Sequence, residues 1–227
     1  MIWIAKDKKH KYKEKTMKRT IIVALSVLVT VSLQAELKIT GLVDGPLTGG
    51  IPKGLELFSD INIPDLSIYG LELVSNGGGS TGQEYTFTNV SVTAGQFIYL
   101  SSEAPSFNTF FGFDSDYITS VTLFNGDDAV LLYKNGVVID TCGDPTVDGT
   151  GTAWDYLDGW IYRKNGTGPD GGFVLDSWNM SGINALDGET SNATSATPFP
   201  IGSYVIPEPA SIGFALGLLV FLIRKQG

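Results

Sequence analysis

Residues 124–143 constrain this chain more than any other stretch. Two short apolar or β-branched runs, 129–133 and 137–139, are joined by Lys134-Asn135-Gly136. Asn-Gly takes positive φ at both central positions of a type I′ turn, whose twist matches that of a two-stranded ribbon. A β-hairpin is therefore expected, entered through a second Asn-Gly at Asn125-Gly126 and left through Gly143-Asp144-Pro145.

The same grammar of short apolar runs between Gly, Asn, Asp and Pro turns repeats along the chain. Residues 36–43 alternate polar and apolar and read as a half-buried strand, followed by a turn-rich 44–50. Strands are expected at 54–58 and 66–74. The apolar phase of the second changes near Gly70, as at a bulge or corner. Residues 84–92 place Tyr85 and Phe87 on one face, and the near-continuous apolar run 96–100 reads as a central strand. Phe107, Phe110, Phe111 and Phe113 mark a short helical plug over one end of the core. Beyond the hairpin, 144–160 is a Gly- and Asp-rich excursion carrying Trp154, Tyr156 and Trp160. Short strands are expected at 160–164 and 172–176, with Trp178 just after.

These signals amount to roughly eight strands and no helix of three turns. With 28 glycines and only 17% charged residues, they point to an all-β fold, an immunoglobulin-like antiparallel β-sandwich spanning 36–189. The Ser/Thr/Ala/Pro-rich segment 190–206 reads as a linker unable to bury a core.

The net charge of −9 conceals an asymmetry. Residues 1–35 carry eight Lys/Arg and 207–227 carry two, so the middle keeps five basic against 21 acidic residues. Such a surface repels phosphate backbones, so no nucleic-acid partner is expected without bridging cations. The one histidine, His10, lies in the leader. The middle of the chain therefore offers no Ser-His-Asp or Cys-His catalysis and no His-ligated zinc or iron. The one cysteine, Cys142, allows no internal disulfide and is expected to be buried; pairing with another chain stays open.

Both ends carry addresses. Lys18-Arg19, an apolar run over 21–33 and a small residue at Ala35 form a secretory signal with cleavage after Ala35. Residues 1–16 are a Lys-rich prefix, and Met17 is expected to be the true start. At the other end, Pro207-Glu208-Pro209 precedes fourteen apolar residues, 210–223, and then Arg224-Lys225. That run is marginal for spanning a bilayer, and its flanking charges suit a transient inner-membrane anchor with the basic end in the cytoplasm.

The C-terminal pattern of Pro207, Glu208 and Pro209, an apolar stretch, and Arg224 and Lys225 resembles the PEP-CTERM sorting signal of Gram-negative bacteria. The resemblance implies processing by an exosortase, after signal peptidase has acted at Ala35, and display at the cell surface or release. The middle resembles the bacterial lamin-tail domain in residues 54–58, 65–73, 124–133, 138–143 and 161–164, together with Trp178. It implies an immunoglobulin-like sandwich; the apolar runs at the two ends are expected to form an N-terminal signal helix and a C-terminal apolar helix outside it. The implied role is binding or structural, and membership of such a family transfers a fold rather than an activity.

The expected function is accordingly a non-enzymatic, exported structural or adhesion module with no catalytic, cofactor or metal residues. Its partners beyond the processing enzymes would be exopolysaccharide or surface proteins. The alternative is a calcium- or carbohydrate-binding module. Asp144, Asp148, Asp155 and Asp158 offer oxygen ligands beside Trp154, Tyr156 and Trp160, although they lack the regular spacing of a calcium loop. A carboxylate-only hydrolase is a third class, for which no pair is singled out. Asp127-Asp128 is read as turn-stabilising, through carboxylate oxygens accepting nearby backbone N–H groups.

Overall fold

The computed structural model describes residues 37–169 and 172–206, which are mostly β and form two sheets. In chain order the elements are β1 (Leu37–Leu47), β2 (Ile51–Ser59), β3 (Tyr69–Val74), β4 (Tyr85–Thr86) and β5 (Phe97–Ser101). They continue with helix α1 (Ala104–Phe111), β6 (Tyr117–Ile118), β7 (Ala129–Lys134), β8 (Val137–Cys142), β9 (Trp160–Arg163) and β10 (Trp178–Met180). The six-stranded sheet has the order β10-β9-β1-β2-β5-β6 and the four-stranded sheet the order β4-β3-β7-β8. Every pairing is antiparallel except β5 with β6.

The expected hairpin is β7–β8. Lys134 pairs with Val137, and Asn135 and Gly136 take φ of 52° and 76°, the two positive values a type I′ turn requires. The register slips between Leu132 and Tyr133, which pair with Asp140 and Val138, so Ile139 is the extra residue of a bulge.

One core lies between the sheets. Leu42, Leu57 and Ile161 from the six-stranded sheet belong to it, with Leu71, Val130 and Leu132 from the four-stranded sheet. Their chain neighbours Val43, Phe58 and Tyr162 belong to a second cluster, completed by Phe110 of α1 and by Leu186, Phe199 and Tyr204. Successive strand residues point to opposite faces. The six-stranded sheet is therefore covered on both sides: by the other sheet on one, and by α1 and a C-terminal strap, residues 186–206, on the other. Helix α1 holds its place through a Glu103 cap on the Ser106 N–H and a stop at Gly112, where φ is 82°.

Several expectations are corrected by this third layer. Segment 190–206 is no coreless linker, because Phe199 and Tyr204 are buried against β1, β2 and β9. Strand β1 is buried through Gly45 rather than half-buried, and it continues through Gly45-Pro46 to Leu47, leaving the turn at 48–50. The aromatics of α1 pack on a sheet face instead of plugging one end. At Gly70 there is no bulge; the phase change comes from a 3-10 turn at Leu66–Ile68 just before β3. A Cβ on Gly70 would lie 2.3 Å from the Tyr85 carbonyl oxygen, so the glycine is there for close approach. The strand expected at 172–176 forms instead at Trp178–Met180, after a 3-10 turn over Leu175–Ser177.

Candidate functional site

The polar side chains that the sheets bury converge under the strap. Between Ile39 and Gly41 the β1–β2 register slips, making Thr40 the extra residue of β1. Its hydroxyl donates to Glu56 Oε1 at 2.7 Å and lies 3.2 Å from the Glu56 carbonyl oxygen. Tyr162 on β9 donates to the same Oε1 at 2.7 Å, and the Gly202 N–H of the strap donates to Oε2 at 2.6 Å. The Tyr162 hydroxyl in turn accepts the N–H groups of Ser203 and Tyr204 at 3.2 and 2.9 Å. Glu56 is thus a fully buried carboxyl with three neutral donors and no cation on it. Burial raises its pKa to about 7, against the smaller pull of the Gly202, Thr40 and Tyr162 hydrogen bonds.

Beside it, Lys38 Nζ is 2.6 Å from Asp60 Oδ2 and 3.5 Å from the Tyr204 hydroxyl. Tyr204 donates to the Thr167 carbonyl oxygen at 2.7 Å. The first strand and the last turn of the described chain therefore meet around one ammonium group. Across the interior, the Arg163 guanidinium engages Asp140 of β8, donates from Nε to the Ile39 carbonyl oxygen at 2.6 Å, and stacks 4.2 Å from the Trp178 ring. Arg163 and Trp178 are thereby in contact.

All five basic residues of the described chain have internal partners. Lys38, Lys53 and Arg163 are in ion pairs with Asp60, Asp44 and Asp140. Lys134 lies over the Tyr69 ring, and Lys164 donates to the Asp176 carbonyl oxygen.

The aspartates singled out from sequence are engaged by the protein's own loops. Asp128 accepts the Asn76 and Asn125 N–H groups at 2.8 and 3.2 Å, the turn-stabilising role expected of it. Asp127 accepts the Thr150 hydroxyl. Both residues lie in the turn that precedes β7. Asp144, Asp148 and Asp155 accept from Thr146, Thr150 and Gly151, and Asp158 donates its N–H to Asp44. Among the described residues no group of three or more His, Cys, Asp or Glu side chains could hold a metal ion.

Trp154 and Tyr156 are buried in the core, and Trp160 is half-buried with its indole N–H on the Thr197 carbonyl oxygen, so this trio forms no sugar-stacking platform. Cys142 is free and buried, and burial pushes its thiol pKa well up. Ser80 sits between the Glu72 carboxylate and the Tyr133 hydroxyl in a nucleophile-like triangle. Burial works against ionisation of Glu72, but donors from Ser80, Tyr133, Thr81 and Gly82 outweigh it and hold the carboxyl below its ordinary value. A carboxylate so stabilised is a poor base, and the triangle pins the glycine loop 76–82 to β3.

Sequence reasoning did not single out Glu56, Tyr162, Lys38 or Tyr204. Their only signal was a polar residue alternating with apolar ones. Ala35, Pro207, Glu208, Pro209, Arg224 and Lys225, with the expected signal and tail helices, lie outside the described residues. Among the described residues no helix is long and apolar enough to cross a membrane. Compared with family models, curated proteins and solved structures, the chain matches none of them.

Proposed function

We propose that this chain is an exported, exosortase-processed protein of the cell surface or extracellular matrix in a Gram-negative bacterium. Its immunoglobulin-like, lamin-tail-like sandwich serves as a non-catalytic structural or adhesion module. The observation that carries the reading is how the buried polar groups are used. Glu56, Glu72, Asp128 and Asp140 each accept two or more donors from the protein itself, and these bonds tie strands, loops and strap together. Such saturation suits cohesion, whereas a general base needs an accessible lone pair; Glu56, although its pKa is raised to about 7, is enclosed by its own donors.

The fold's continuation to Ile206 adds support. Ile206 packs on the second cluster, so the chain passes from the domain into Pro207-Glu208-Pro209 without an intervening linker. A tail that anchors the protein would then hold the domain close to the membrane. An activity screen of the purified protein against glycoside, ester and phosphoester substrates tests the non-catalytic part. Turnover above background that disappears in a single-carboxylate variant overturns it.

A further inference from the structure

We infer that residues 199–206 are a latch whose grip on the six-stranded sheet is set by the protonation of Glu56, tight when the carboxyl is neutral and loosened when it is ionised. The geometry begins with the missing cation. Three neutral donors surround Glu56, and the Lys38 ammonium group, which reaches the strap at Tyr204, is held by Asp60. A buried carboxylate without a counter-charge is costly, so its neutral form is favoured while the strap covers it.

Thr40 makes the neutral form compatible with the closed strap. Its hydroxyl lies within reach of both Glu56 Oε1 and the Glu56 carbonyl oxygen. With the carboxyl protonated on Oε1, Thr40 turns its own hydrogen to that carbonyl and accepts the carboxyl proton. Oε2 remains an acceptor for the Gly202 N–H, and Tyr162 keeps the amides of Ser203 and Tyr204. On ionisation the same contacts enclose an uncompensated charge, which opening of the strap relieves by admitting water.

The other titratable groups on this face make no contact with the Gly202, Ser203 and Tyr204 amides except Tyr162. Tyr99 of β5, Tyr162 of β9 and Tyr204 of the strap are all pushed upward by burial. Lys38 and Asp60 are paired with each other, and Asp116 accepts the Tyr99 N–H from the exposed side. Helix α1 brings no charged side chain between Ala104 and Phe111.

Opening frees eight residues, which lengthens the tether ahead of Pro207 by up to about 26 Å at roughly 3.3 Å per residue. That consequence for a processed tail rests on the function proposed above; the latch does not. Amide hydrogen exchange of the full-length protein, corrected for intrinsic rates, tests the latch directly. Protection at Gly202, Ser203 and Tyr204 is expected to fall at least about tenfold between pH 5 and pH 8, as a pKa displacement of more than one unit requires. Protection in β7 should stay constant, and Glu56→Gln should remove the pH dependence. Equal or rising protection in the wild type overturns the latch. If Glu56→Gln does not fold, the carboxyl carbon of Glu56 in the wild-type protein decides by NMR. A midpoint near 7 that moves with the Gly202 amide supports the latch, and titration at an ordinary carboxylate pH overturns it.

Discussion

Arg163 Nη2 lies 2.7 and 2.8 Å from the two carboxylate oxygens of Asp140, fastening β9 of one sheet to β8 of the other. The pair also satisfies Ile39, whose N–H donates to Asp140 at 2.8 Å and whose carbonyl oxygen accepts from Arg163. Removing one partner of a buried pair leaves the other charge uncompensated. Asp140→Ala is therefore expected to cost about 3–5 kcal/mol, read by urea unfolding. The double variant Asp140→Leu/Arg163→Met should recover much of that loss. Additive losses in the double variant would show that the pair is not coupled.

Glu56 gives the folded protein a distinct pH signature. Its folded pKa, about 7, lies above the ordinary 4.5. Its stabilising contribution is thus fully present below about pH 4.5 and is lost as pH rises to about 7. The displacement corresponds to a loss on the order of 3 kcal/mol. Chemical denaturation at pH 5 and pH 8 measures it, with Glu56→Gln as the control that isolates this group from Asp44, Asp60 and Asp140, whose carboxyls are also raised by burial.

Two glycines of the opening Asn-Gly pairs should behave differently. Gly126 takes φ of 86°, and a Cβ there would lie 2.4 Å from the Leu157 backbone nitrogen; Gly136 takes φ of 76° with open space around it. Gly136→Ala meets only the cost of a left-handed backbone, about 1 kcal/mol. Gly126→Ala adds a clash with backbone that cannot swing aside, for a total of about 2–4 kcal/mol. Thermal unfolding of the two variants compares them.

Cys142 is enclosed by the core and its thiol is held protonated. A thiol reagent such as DTNB is expected to leave the native protein unlabelled and to label it at the rate of unfolding once urea is added.

The strap is the sharpest contrast between sequence and structure. The hairpin was legible because Asn135-Gly136 encodes a local backbone geometry that no distant contact has to supply. The burial of Cys142 was legible from its place at the end of an apolar strand, and the turn role of Asp128 from its neighbour Asn125, although its other donor, Asn76, is remote in sequence. Glu56, Lys38 and Thr40 were not. In a strand, alternation marks one face as polar, and polar ordinarily means facing water; only a distant segment can turn that face inward. That segment, 190–206, has the composition of a linker, and its grip comes from Phe199, Tyr204 and backbone N–H groups at Gly202, Ser203 and Tyr204. Backbone donors leave no trace in a sequence.

That contrast predicts how truncation behaves. A chain ending at Ile206 keeps Phe199 and Tyr204 and should unfold like the intact domain. A chain ending at residue 189 exposes Val43, Phe58 and Tyr162, and loses about 3–6 kcal/mol from two buried aromatic side chains alone. Guanidinium unfolding of the two truncations distinguishes a strap from a linker.

The measurement closest to the central claim is cell fractionation of the full chain and of a chain ending at Ile206, each expressed in its native host. The proposed role predicts that the full chain reaches the cell surface or medium in a form lacking residues near its C-terminus, while the truncated chain, equally folded, goes elsewhere. The same destination for both proteins, with residues 207–227 intact on the full chain, would contradict it.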